Sequence, residues 1–243
     1  MVVRCALLLV MFAWPVHAAE KVTRETMTSA GKTREYFLFV PESVKDRPAP
    51  LLVLLHGSGR DGKSLIDPWQ RLAEREGIIL ASPNSADRAG WDLKQDGPYF
   101  IADLVNAVRS SHTVDPRRLY IFGHSAGAIQ GLMLGLVESE YFAAVAVHAG
   151  ALEQSAWSMI DLADRKIPLA IWVGTDDRLF PLSAVEATRT ALEQKGIPVL
   201  LRTIKNHTHD YYKRADDVNR EAWEFLKQHA LTRDPRFKEY DLK

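Results

Sequence analysis

Leu119-Tyr120-Ile121-Phe122-Gly123-His124-Ser125-Ala126-Gly127-Ala128-Ile129 passes from a run of buried-type residues, through two closely spaced glycines, into a segment of helical spacing. The apolar positions that follow, Ala128, Ile129, Leu132, Met133 and Leu136, recur on one helix face. A strand that turns this sharply into a helix lifts the hydroxyl of Ser125 clear of a sheet. Glycines two positions to either side let strand and helix approach without a side-chain clash. The new helix also directs its amino end toward the serine, which favours developing negative charge. The bland reading of the same residues is a glycine-rich tight turn.

Working outward, short apolar runs recur at Tyr36–Val40, Leu51–Leu55, Ile78–Ala81, Arg118–Phe122, Ala143–Val147, Leu169–Val173 and Val199–Ile204. Several are continuous rather than alternating, as in strands buried on both faces. Segments of helical spacing separate them: Phe100, Ile101, Leu104, Val105 and Val108; Val185 and Leu192; Val218, Ala222, Trp223, Leu226 and Ala230. Strands alternating with helices predict one α/β domain with a mostly parallel sheet flanked by helices. The stretch from Thr232 is charged and aperiodic, so a loose tail is expected.

Composition narrows the function. The 243 residues carry 31 Lys+Arg against 31 Asp+Glu, and 47% are hydrophobic, enough for a sizeable core. A formal net charge of zero argues against nucleic acid or an anionic membrane surface as main partner. Arg4, the apolar run Cys5–Trp14 and Val16-His17-Ala18 have the anatomy of a signal peptide cleaved after Ala18. The run is too short for a membrane-spanning anchor. A secreted or periplasmic protein starting near Ala19 is expected, and cleavage removes the single cysteine, Cys5.

In such sheets ligands bind at the carboxyl ends of the strands. After Leu51–Leu55 comes His56-Gly57-Ser58-Gly59, placed to aim the Ser58 N–H at a carbonyl oxygen beside the Ala126 N–H. The same loop, Gly57 to Gly62, is a literal G-x-G-x-x-G. A dinucleotide site would need a carboxylate ending the next strand, and that strand ends Ala81-Ser82-Pro83-Asn84. Later strand ends supply an acid, in Gly174-Thr175-Asp176-Asp177, and a histidine, in His207-Thr208-His209. Their order after Ser125 suits a Ser-Asp-His triad. The competing reading of His207 and His209 as a metal pair lacks a clear third ligand. His148 ends a strand and is a candidate for the pocket, whereas His112, His124 and His229 read as packed or solvated.

The chain resembles the α/β-hydrolase superfamily, and within it the secreted polyhydroxybutyrate-depolymerase-like and feruloyl-esterase-like group. The resemblance rests on Leu54-Leu55-His56-Gly57, Ala81–Asn84, Val114–Tyr120, Gly123–Gly127, Gly174–Asp177 and His209-Asp210-Tyr211-Tyr212. It implies Ser125 as nucleophile, Asp177 rather than Asp176 as acid, and His209 rather than His207 as base. It implies hydrolysis of a small-molecule carboxylic ester with no cofactor and no metal. About twenty residues separate Val147 from Leu169, too few for a separate lid domain. Trp91, Tyr99, His148, Trp157, Leu179 and Phe180 are candidates to line the acyl site, and short-chain or small aromatic acyl esters are the expected substrates. A serine peptidase or acyltransferase, or a silent binding protein, is the alternative, and the oligomeric state is left open.

Overall fold

A computed structural model describes residues 22–45 and 47–239. The leader read at residues 1–18 lies outside the described residues. Eight strands form one sheet in the order β1-β2-β4-β3-β5-β6-β7-β8. They are β1 Thr23–Ser29, β2 Lys32–Phe39, β3 Ala49–Leu55, β4 Ile79–Pro83, β5 Val114–His124, β6 Ala144–His148, β7 Leu169–Gly174 and β8 Val199–Ile204. From β4 across to β8 every pairing is parallel, whereas β1–β2 and β2–β4 are antiparallel.

The helices are α1 Gly62–Ile66, α2 Gln70–Glu76, α3 Pro98–Ser111, α4 Ala126–Val137, α5 Leu182–Gln194 and α6 Ala215–Leu226. Strand β3 shows how both faces are covered. Leu51, Val53 and Leu55 enter one core with Leu104 of α3, Leu132 of α4 and Val185 of α5. Leu52 and Leu54 enter the other, with Leu65 of α1, Leu72 of α2 and Val218 of α6. An alternating split of one apolar run between two cores is the period-2 geometry of a doubly covered strand. Among the described residues no helix is long and apolar enough to cross a membrane.

Two features depart from the sequence reading. Strand β1 precedes the first expected strand. The stretch from Thr232, expected to be loose, has no regular structure over its described residues 232–239 but is held there: Arg236 N–H donates to Glu140 O at 3.1 Å, and the Phe237 ring packs against Tyr99 and Tyr141.

The sheet order fixes where chemistry can gather. From β3 the chain goes to β4 on one side, then crosses to β5 on the other, so the order reverses between β3 and β5. That reversal opens a crevice outside the strand ends, where ligands bind in open α/β sheets. Leu55 pairs with Gly123 there, which sets the His56–Gly59 loop beside Ser125.

Candidate active site

Ser125 sits between β5 and α4 with φ 58° and ψ −120°. A non-glycine residue at positive φ is strained, and it persists only where the surroundings over-determine it. Here they do. Ser125 N–H donates to His148 O on β6 at 3.1 Å, and the Ser125 carbonyl accepts from Ala128 and Ile129 of α4. The flanking glycines are demanded by space: a Cβ on Gly123 would overlap the Gly127 carbonyl, and one on Gly127 would overlap the Leu55 carbonyl.

Ser125 Oγ lies 2.8 Å from His209 Nε2, and His209 Nδ1 lies 2.9 Å from Asp177 Oδ2. The other oxygen, Oδ1, accepts the N–H groups of Leu179 and Phe180, each at 2.9 Å. The Asp177 side chain is fully buried, and its carboxylate can only accept, so His209 carries its proton on Nδ1. That leaves the Nε2 lone pair facing the serine hydroxyl. Asp176, by contrast, is exposed, and its carboxylate accepts from the Thr175 hydroxyl. Three strand ends thus bring Ser125, His209 and Asp177 into one hydrogen-bonded line, an arrangement able to activate a serine for attack on a carbonyl carbon.

The cleft over this line has a volume of about 1010 Å³ and is bounded by Ser58, Arg60, Asp176, Arg178, Leu179, Asp210 and Tyr212 as well as the three residues above. The Arg60 guanidinium stands 4.9 Å over the Tyr212 ring. Among the described residues, neither the Ser58 N–H nor the Ala126 N–H donates to another protein group. The Ser58 loop is held from beneath: Ser85 N–H donates to His56 Nε2 at 3.2 Å, and burial lowers the His56 pKa, favouring the neutral acceptor.

Of the residues expected along the acyl site, Leu179 lines the cleft, and the Phe180 ring stacks on His209 at 5.7 Å. Trp91 serves the Ser58 loop instead, donating Nε1–H to His56 O at 2.8 Å with its ring 4.8 Å from that imidazole. Trp157 donates to Leu152 O and packs on the core. Tyr99 faces a separate small apolar depression bordered by Leu93, Pro98 and Leu162.

His148 does not face the cleft. It is fully buried at the end of β6, with Nδ1 3.1 Å from His124 Nδ1 and Nε2 3.2 Å from His207 Nε2. Burial lowers the pKa of all three; His124, with the nearby His209 adding to the effect, falls to about 3. In the sequence His124 reads only as packed or solvated. The signal available for this cluster is that each of the three sits at or just after the end of a strand, His124 on β5, His148 on β6 and His207 after β8.

Comparison with known proteins places the chain. The model of the family described as Esterase PHB depolymerase matches residues 34–200. A poly(3-hydroxybutyrate) depolymerase of Ralstonia pickettii is 25% identical over 174 residues, covering 58% of this chain and 36% of that protein. A bifunctional acetylxylan esterase/xylanase of Neocallimastix patriciarum is 22% identical over 170 residues, 68% of this chain and 25% of that protein. The chain therefore spans about a third or less of the length of these relatives. The structure of a ferulic acid esterase superposes with a TM-score of 0.70 at 19% identity, covering 86% of this chain and 98% of that one, a likeness of fold. With the family match running from β2 into β8, the chain belongs to the Esterase PHB depolymerase family.

Proposed function

We propose that this protein is a secreted serine hydrolase of carboxylic esters that works through an acyl-enzyme. The observation that carries the reading is the unbroken line Ser125 Oγ–His209–Asp177 at 2.8 and 2.9 Å, with the serine held at positive φ. His209 Nε2 takes the Ser125 proton as Oγ attacks the ester carbon, and Asp177 stabilises the imidazolium. The Ser58 and Ala126 N–H groups receive the oxyanion. Collapse expels the alcohol, which takes the proton from His209, and water then repeats the cycle on the acyl-enzyme. No cofactor enters. Family membership supports the ester chemistry, as do the relatives named as a depolymerase and an acetylxylan esterase.

For substrate, the reading is a soluble ester with a short-chain or small aromatic acyl group. The segment between β6 and β7 supports an open site. It forms a 3-10 helix, Gln154–Leu162, whose Ile160 is buried in the core. Export rests on the leader, with a mature chain starting near Ala19.

The test is hydrolysis of p-nitrophenyl esters, acetate through octanoate, by the purified chain and its Ser125→Ala variant. A loss of about three orders of magnitude or more in the variant supports the reading, and a full rate without Ser125 ends it.

A further inference from the structure

His148 touches no part of the cleft, yet the serine turn and the base loop both lead back to it. The register of β5 and β6 sets His148 opposite His124, the residue before the serine. Its carbonyl holds Ser125 N–H at 3.1 Å, and its ring nitrogens reach His124 on one side and His207 on the other. His207 stands two residues before His209, and its carbonyl accepts Asp176 N–H at 2.9 Å, joining the base loop to the acid loop.

We propose that His148 is a positioning residue. Through the chain His124–His148–His207 it ties the Ser125 turn to the loop that carries His209, and so sets the distance across which the serine proton moves. The proposal rests on the ester-hydrolase reading above.

The chemistry of imidazole makes the tie specific. A neutral histidine has one N–H and one lone pair, so His148 donates to one neighbour and accepts from the other. Burial shuts out water that would otherwise serve those nitrogens. A side chain of similar volume without nitrogens fills the space but leaves His207 Nε2 without its partner and His124 Nδ1 with only the longer 3.4 Å contact to the His148 carbonyl, so the link from the base loop to the serine turn is lost while its links to the acid loop remain. Proton transfer is sensitive to sub-ångström placement, while neither His148 nor His207 lines the cleft. Loss of the tie therefore falls on turnover and not on affinity.

The experiment compares His148→Phe, His207→Phe, the double variant and His148→Gln with wild type on p-nitrophenyl acetate, with Tm measured for each. Each Phe variant is expected to lower kcat by about 10²-fold with KM within about two-fold of wild type. The double variant is expected to fall no further than either single, because both remove one link. His148→Gln, which can still reach His207 with an amide, is expected to recover part of kcat. Wild-type kcat in a folded Phe variant overturns the proposal, as do losses that multiply in the double and follow Tm. Should His148→Phe fail to fold, His207→Phe against His207→Gln on the surface loop decides the question by the same kcat criterion. A fully active Ser125→Ala overturns the hydrolase reading itself, whereas a dead Ser125→Ala beside fully active histidine variants overturns only the positioning role.

Discussion

Gly174, the last residue of β7, packs so closely on the base loop that a Cβ there would overlap the carbonyl of His207. Three residues later on the same chain stands Asp177, and two residues beyond His207 stands His209. The close approach of these two backbones is what allows acid and base to meet at 2.9 Å. Gly174→Ala is therefore expected to push the loops apart, costing about 1–3 kcal/mol of stability and about 10²-fold in kcat. Gly196→Ala is the control. Gly196 has φ +75°, and a Cβ there would meet only Lys166 Cε at an ordinary 3.9 Å, so its variant should lose about 1 kcal/mol of stability and keep full turnover. Denaturant midpoints and kcat for the pair check this; normal turnover in Gly174→Ala would show that the approach is incidental.

Asp177 and Asp176 are neighbours with opposite surroundings. Asp177 accepts three hydrogen bonds, from Leu179 N–H, Phe180 N–H and His209, with its side chain fully buried. An amide at that position must turn its NH₂ either toward two backbone donors or toward His209 Nδ1–H, and the second choice drives the imidazole into the wrong tautomer. Asp177→Asn is expected to keep the fold and lose about 10⁴-fold in kcat, while exposed Asp176→Asn loses less than about 10-fold. Equal losses in steady-state kinetics would move the acid assignment.

Legibility in the sequence followed the length and apolarity of each element. The parallel strands β3, β4, β6 and β7 are buried throughout, as is β5 from Leu119 onward, and they declare themselves as apolar runs. Strand β1 does not: Thr23–Ser29 has Met27 as its one large apolar residue, since an edge strand pairs on one side and half faces water. Helices α1 and α2 are too short for a period to show. In the site, motifs at strand ends point to Ser125, an Asp176/Asp177 pair and a His207/His209 pair, and it is the family resemblance that selects Asp177 and His209. No motif points to the supports, because they rest on single polar contacts between distant residues. Asp96 is one: buried, it accepts from Ala86 N–H and Arg34 and thereby shapes the loop that carries Trp91. No periodicity announces such a contact.

Trp91 separates a residue that lines a pocket from one that supports a loop. Its Nε1–H donates to His56 O, and its ring lies against the His56 ring at the base of the Ser58 loop. Trp91→Phe keeps most of the ring contact and loses the donor, letting the loop that presents the Ser58 N–H relax. The expected result is a fall in kcat of about 10-fold that is uniform from acetate to octanoate. A changed acyl-chain optimum with unchanged kcat on acetate would instead place the indole against the substrate.

The buried histidines make stability depend on pH in a direction that can be worked out. His124 is 6% exposed, and burial, helped by the nearby His209, lowers its pKa to about 3; the His148 carbonyl, Asp177 and Asp210 pull the other way without overcoming burial. Around it stand His148, itself lowered by burial and by His124 and His207, and the Tyr211 ring. In the unfolded chain each of these imidazoles takes up a proton near its ordinary value of about 6.5, whereas the folded one does not. Below that value the unfolded state binds more protons, so stability falls as pH falls, continuing for His124 down toward its folded value. Between pH 6 and pH 5 His124 alone accounts for a loss of about 1 kcal/mol, and His148, His207 and His56 add in the same direction. Urea midpoints measured at pH 7, 6 and 5 should decline, most steeply over the last interval. Midpoints that stay level across that range would mean that the cluster accepts protons in the folded state, contrary to its burial.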